Sequence, residues 1–218
     1  MNAMTRAARR SLRARRGFTA VEVMVAMTLF AIGGAGIIAM ERTAVQASQD
    51  ARALDTGSAI GREWVERIRR DALLWGVPDP SAGNNPILIN DAKLRWLKAP
   101  EVVASPAPGP PSAWRVPPLA NGVPGARPTF DILGREVDSA APEIKYCVQY
   151  RLEAVQYDQP APAPITAATT IRVDVRVLWS RQIDNGGVIS PSFCSDQVQD
   201  ATKVQSVIVS SVIRRNNQ

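Results

Sequence analysis

The chain has 218 residues, with 26 basic and 20 acidic side chains, two cysteines and no histidine. Without histidine there is no Ser–His or Cys–His nucleophile pair, the commonest metal ligand is missing, and two cysteines alone do not make a usual zinc site. The formal charge of +6 is not a phosphate footprint: Arg6, Arg9, Arg10, Arg13, Arg15 and Arg16 precede residue 17 with no acid among them, and the other 20 basic side chains balance the 20 acidic ones, so nucleic acid is not an expected partner.

In chain order, residues 1–17 read as a basic leader. Phe18 to Met40 follows as 23 residues in which Glu22 is the only charge. As a helix this run is about 35 Å long, enough to span a bilayer, and the arginines before it fit a cytoplasmic arm. An ionised carboxylate in hydrocarbon costs several kcal/mol and so calls for a partner. Within the apolar run of the uncut chain Glu22 has no evident one. A cut between Gly17 and Phe18 makes one: the new amine of Phe18 lies one helical turn before Glu22, on the same face.

The order Arg15-Arg16-Gly17, then Phe18, then Glu22 on an apolar helix, resembles the class III signal of type IV prepilins and type II secretion pseudopilins. The runs Val23-Met24-Val25-Ala26-Met27-Thr28-Leu29-Phe30-Ala31-Ile32-Gly33-Gly34 and Trp64-Val65-Glu66-Arg67-Ile68-Arg69 are most similar to the PilV kind of minor pilin. The resemblance covers roughly residues 15–75. It implies cleavage between Gly17 and Phe18 by a prepilin peptidase, N-methylation of Phe18, and assembly with major and minor pilins through an inner-membrane platform. In the filament Glu22 would form a salt bridge with the amine of a neighbouring subunit. Before assembly the chain would sit in the inner membrane as a single span, N-terminus cytoplasmic and C-terminal part periplasmic, and afterwards in the pilus at the cell surface.

Two other readings of this segment differ in their new N-terminus. A secretory signal would be cut after Val45-Gln46-Ala47, although the apolar run exceeds the usual length of about 7–15 residues. An uncleaved anchor would leave Glu22 unexplained. Gly33, Gly34 and Gly36 lie close together within the helix. They suit tight packing of a membrane helix, and by resemblance to pilins also local melting when the subunit leaves the bilayer.

Residues 41–76 are expected to continue as an amphipathic helix. Ala47, Ala51, Leu54, Ser58, Gly61, Val65, Ile68, Ala72 and Trp75 recur at steps of four and three, Ile60 and Trp64 widen the stripe, and Gly76 and Pro78 end it. Glu63–Arg67 and Glu66–Arg70 are spaced as ion pairs on the other face. Asp55-Thr56-Gly57 matches the aspartic-protease signature, but one copy in mid-helix cannot supply two carboxylates that share a proton.

Residues 77–142 read as a Pro-rich loop region, with Pro100–Pro128 as extended linker or recognition loop and short strands at Pro86–Asn90, Lys93–Leu97 and Thr129–Leu133. Residues 143–218 read as antiparallel sheet. Ile144–Leu152 and Ile171–Trp179 alternate with one wet face, Val204–Ile213 is apolar on both faces in part and so expected to be central or covered, and Pro160–Pro164 and Asn185-Gly186-Gly187 mark turns. Cys147 and Cys194 enclose a 47-residue separation; in an oxidising compartment the pair can be a disulfide, and two buried thiols are the alternative. No nucleophile elbow, P-loop, dinucleotide fingerprint or calcium loop is present, and Asp131, Asp138, Glu143, Asp196 and Asp200 are scattered.

The expected architecture is α+β and, by resemblance, pilin-like: a long N-terminal helix whose second half packs on an antiparallel sheet. The expected function is structural rather than enzymatic, that of a minor pilin without a cofactor. A type II secretion minor pseudopilin, or a bitopic periplasmic binding or adhesion module, are the alternatives.

Overall fold

The computed structural model describes residues 17–97, 113–117, 127–139, 141–158, 165–180, 194 and 204–216. The leader arginines, most of the Pro-rich stretch, the turns expected at 160–164 and 185–187, and Asp196 and Asp200 lie outside them. One helix, α1, runs Ala20–Asp71, and a 3-10 turn at Ala72–Leu74 follows it. The chain divides into two compact units, Met1–Asp50 and Ala51–Gln218.

In the first unit the apolar side chains of α1 are exposed, including Val21, Met24, Met27, Phe30, Ile37 and Met40. The helix is long and apolar enough to cross a membrane. It passes unbroken through Gly33, Gly34 and Gly36, and a Cβ at any of the three would meet nothing within 4 Å.

The second unit packs the rest of α1 on a four-stranded antiparallel sheet, as the α+β expectation required. Its strands are β3 (Thr129–Phe130), β4 (Tyr146–Tyr157), β5 (Ala168–Ser180) and β6 (Val204–Arg214), in the order β3-β4-β5-β6. The 3.6-residue periodicity sets the helix face: Gly57, Ile60, Gly61, Trp64, Val65 and Ile68 are buried. Gly61 permits the close approach, since a Cβ there would stand 2.8 Å from a Val209 methyl. The strands' period of two does the rest. Val173, Val175, Val177 and Trp179 are buried in β5, and Val177 and Trp179 lie against the helix glycines.

Several details differ from the sequence expectation. Segment 77–97 belongs to the core, burying Ile87, Ile89, Leu94, Trp96 and Leu97; Trp96 meets Trp64 edge-on, with ring centroids 5.0 Å apart. Its ladder consists only of β1 (Pro78–Asp79) and β2 (Asn85–Pro86). Lys93–Leu97 is no strand, because Asp71 takes the N–H groups of Arg95, Trp96 and Leu97 that a ladder would need. Past Phe130 the expected strand turns instead, where the Asp131 carboxylate accepts from the N–H groups of Leu133 and Arg135.

The helix stops at Asp71, short of Gly76. Gly76 instead takes φ +93° in the following turn, where a Cβ would lie 2.1 Å from the Asn216 carbonyl oxygen. Glu63 pairs with Arg67 as spaced, whereas Glu66 pairs with Arg69. Asp55 is exposed on the helix. β6 is an edge strand of this sheet rather than a central one, and Ile208 and Val212 on its outer face are exposed. The outer faces of β4 and β5 are drier than alternation implies, with Cys147, Gln149 and Asp174 buried.

Candidate functional site

The site read from the sequence begins where α1 begins. Thr19 stands immediately before the helix and Glu22 is its third residue, so the two form a Thr-x-x-Glu capping box. The Glu22 N–H donates to the Thr19 hydroxyl oxygen at 3.2 Å. In return Glu22 Oε2 accepts from the Thr19 backbone N–H at 2.9 Å and from its hydroxyl at 3.1 Å. Two backbone donors that a helix start leaves unpaired are thereby satisfied, and the carboxylate lies at the positive end of the helix dipole.

This corrects one expectation. In the uncut chain Glu22 does have a partner, Thr19, which lies just inside the apolar run. Thr19-Ala20-Val21-Glu22 was legible as a capping box and is the functional residue pair that charge reasoning passed over.

Phe18 and Glu22 line one groove with Val23, Ala26, Met27 and Phe30, following the i, i+4 and i+8 spacing of a single helix face. Phe18 is 85% exposed and Phe30 84%. Gly17, one side of the expected cut, is exposed as well. A peptide bond flanked by an exposed glycine and an exposed aromatic, ahead of the first helical turn, is open to a protease.

Gly33, Gly34 and Gly36 sit farther along the same helix. The cysteines belong to the second unit, where Cys147 and Cys194 are bonded with Cα atoms 5.6 Å apart. The backbone carbonyl of Cys194 also accepts from the buried Gln149 side-chain amide at 2.7 Å. Among the described residues no group of three or more His, Cys, Asp or Glu is placed to hold a metal.

Comparison with known families decides the nature of the first site. The model of the prokaryotic N-terminal methylation motif matches residues 12–38. The chain carries a prokaryotic N-terminal methylation motif. This motif is the class III signal of type IV pilins and pseudopilins, and it spans the end of the basic arm, the capping box and the glycine cluster. Together with the apolar helix it indicates membrane anchoring and processing by a prepilin peptidase. No curated protein and no solved structure matches the chain.

Proposed function

We propose that the chain is a minor pilin, a structural subunit of a type IV pilus. Prepilin peptidase cuts between Gly17 and Phe18 and the Phe18 amine is methylated. The chain waits in the inner membrane as a single span with its second unit in the periplasm, until the assembly platform extracts it to join other major and minor pilins. The observation that carries this reading is the match of the methylation motif around a carboxylate, Glu22, held on the first turn beside an exposed Phe18.

In this reading Thr19 satisfies Glu22 before assembly. In the filament the carboxylate turns to the Phe18 amine of a neighbouring subunit, where a low dielectric makes an unpaired charge costly. Gly33, Gly34 and Gly36 lower the cost of melting the helix locally, each by about 1 kcal/mol relative to alanine. The Cys147–Cys194 bridge suits a periplasmic compartment.

The mass of the mature N-terminus, measured on protein from native membranes or sheared filaments, tests the proposal. The expected terminus is methylated Phe18. A terminus at Met1 would make the chain a plain anchor and one at Ser48 a secreted domain, and either would overturn the filament role. Deleting the gene is expected to reduce surface filaments and leave protein secretion intact. The opposite pattern would assign the chain to a type II secretion pseudopilus.

A further inference from the structure

The sheet face turned away from α1 carries an arginine whose charge is not matched among the described residues. Register places Arg151 opposite Asp174 and Gln149 opposite Arg176, with Ile208 on the far side of Arg176. Asp174 is saturated: its carboxylate accepts from Arg151 Nε at 2.9 Å, Arg172 Nε at 2.9 Å and the Ser210 hydroxyl at 2.6 Å. Arg151 and Arg172 are therefore committed. Arg176 has only the neutral Gln149 side-chain oxygen, and its Nε–H is buried without an acceptor among the described residues.

An aromatic wall completes the setting. Arg115 pairs with Tyr150 on the free edge of β4, which places Trp114 over the same face. Arg151 and Arg176 both lie over the Trp114 ring, 4.6 and 4.4 Å from its centroid. Burial pushes the Arg176 guanidinium below its ordinary value, and the charge of Arg151 pushes the same way. A desolvated guanidinium with a free N–H, a tryptophan beside it and an exposed Ile208 in the next strand is the composition of an interface anchor.

We propose that Arg176 and Trp114 form a binding site for a carboxylate, the side chain of an Asp or Glu on a partner protein. Among the described residues the surplus is a single positive charge, which suits a monoanion; a phosphate dianion would need the two arginines that Asp174 already holds. The carboxylate accepts from the outer N–H groups of the Arg176 guanidinium, its plane lies along the Trp114 ring, and Ile208 covers the aliphatic part of the incoming segment. The site does not depend on processing at Gly17, so its failure and the failure of the filament reading are distinguishable.

The test uses the full, unprocessed chain in detergent micelles, labelled with 15N, and titrated with acetate and with N-acetylglutamate α-amide against chloride at constant ionic strength. A saturable shift of the Arg176 Nε–H and the Trp114 indole N–H is expected, while Arg172 Nε–H, already bonded to Asp174, stays still. In Arg176→Gln the Trp114 response should weaken about tenfold or more, as expected for loss of a charge-assisted hydrogen bond, and Arg176→Lys should fall between. An unsaturable shift, or equal binding by Arg176→Gln with its spectrum otherwise native, would overturn the site. Tighter binding of inorganic phosphate than of acetate would overturn the protein carboxylate as its ligand.

Discussion

Asp71, the last residue of α1, lies 2.7 Å from the backbone nitrogen of Trp96, and its carboxylate also accepts from the N–H groups of Arg95 and Leu97. Three donors from a segment 24 to 26 residues away thus close on one side chain at the end of the helix. A carboxylate at a helix C-terminus faces the negative end of the dipole, so the three bonds must outweigh an unfavourable position. Asp71→Ala is expected to cost about 3 kcal/mol, because it leaves these N–H groups unpaired beneath Trp96 and Leu97. Urea unfolding of the detergent-solubilised chain reads the loss, and an unchanged midpoint would show that water replaces the carboxylate at no cost.

The capping box makes a local prediction. Thr19→Ala removes the two hydroxyl bonds with Glu22 while the backbone N–H of residue 19 still donates to the carboxylate, and it is expected to cost about 1 kcal/mol of helix stability at that end. Faster hydrogen exchange of the Glu22 amide is the readout, with Thr19→Ser retaining protection. Equal exchange in Thr19→Ala would mean that the helix start is held by something other than the box.

Glycine-to-alanine changes should act with opposite sign in the two units. At Gly61 the new Cβ meets Val209 at 2.8 Å and Val177 at 3.5 Å, both branched side chains with little room to turn. Overpacking should exceed the propensity gain and destabilise the chain by about 1–2 kcal/mol. At Gly34 nothing lies within 4 Å, so alanine should strengthen the helix by up to about 1 kcal/mol. Under the filament reading that stiffening lowers incorporation into filaments at unchanged cellular level. Immunoblots of sheared filaments and whole cells compare the two quantities.

Cys194→Ser opens the 47-residue loop closed by the bridge to Cys147. The chain-entropy estimate for a loop of this length is about 4 kcal/mol, enough to make a domain of ordinary stability marginal. Reduction of the wild-type chain should lower the unfolding midpoint by the same amount as the mutation. A mutant as stable as the oxidised protein would show that the buried Gln149 contact holds Cys194 in place by itself.

Tyr150 predicts the alkaline limit. Burial pushes its hydroxyl up to about 12 from an ordinary 10.0, with Arg115 drawing it down and Asp71 pushing it up. The folded chain therefore keeps a proton that the unfolded chain has lost. Stability from this group is complete below pH 10 and is lost as pH rises towards 12, about 3 kcal/mol at most. Tyr150→Phe should flatten that part of the stability curve, and a curve as steep as wild type would assign the loss to other groups.

The sequence was most legible where a single period ran for many residues. Gly61, Val65 and Ile68 announced the buried helix face, and Val173, Val175 and Val177 the inner face of β5, because each pattern repeats against one surface. Glu22 announced the terminal site because a lone carboxylate in an apolar run has few explanations. Legibility failed where partners are distant or backbone. Nothing local marks Asp71 as the acceptor for Trp96, and so Lys93–Leu97 read as a strand. Val204–Ile213 looked doubly apolar and hence central, but the edge of this sheet leaves Ile208 and Val212 in the open.

Asp174 has one more consequence, a mechanical one. Its carboxylate is gripped from β4 by Arg151, from its own strand by Arg172 and from β6 by Ser210, all within 2.9 Å. A slip of β5 by one residue against either neighbour would break these bonds together and turn Val173 and Val175 towards solvent. A pull along the strands is therefore met at once by a three-strand rivet rather than bond by bond, which is what a part loaded in tension needs.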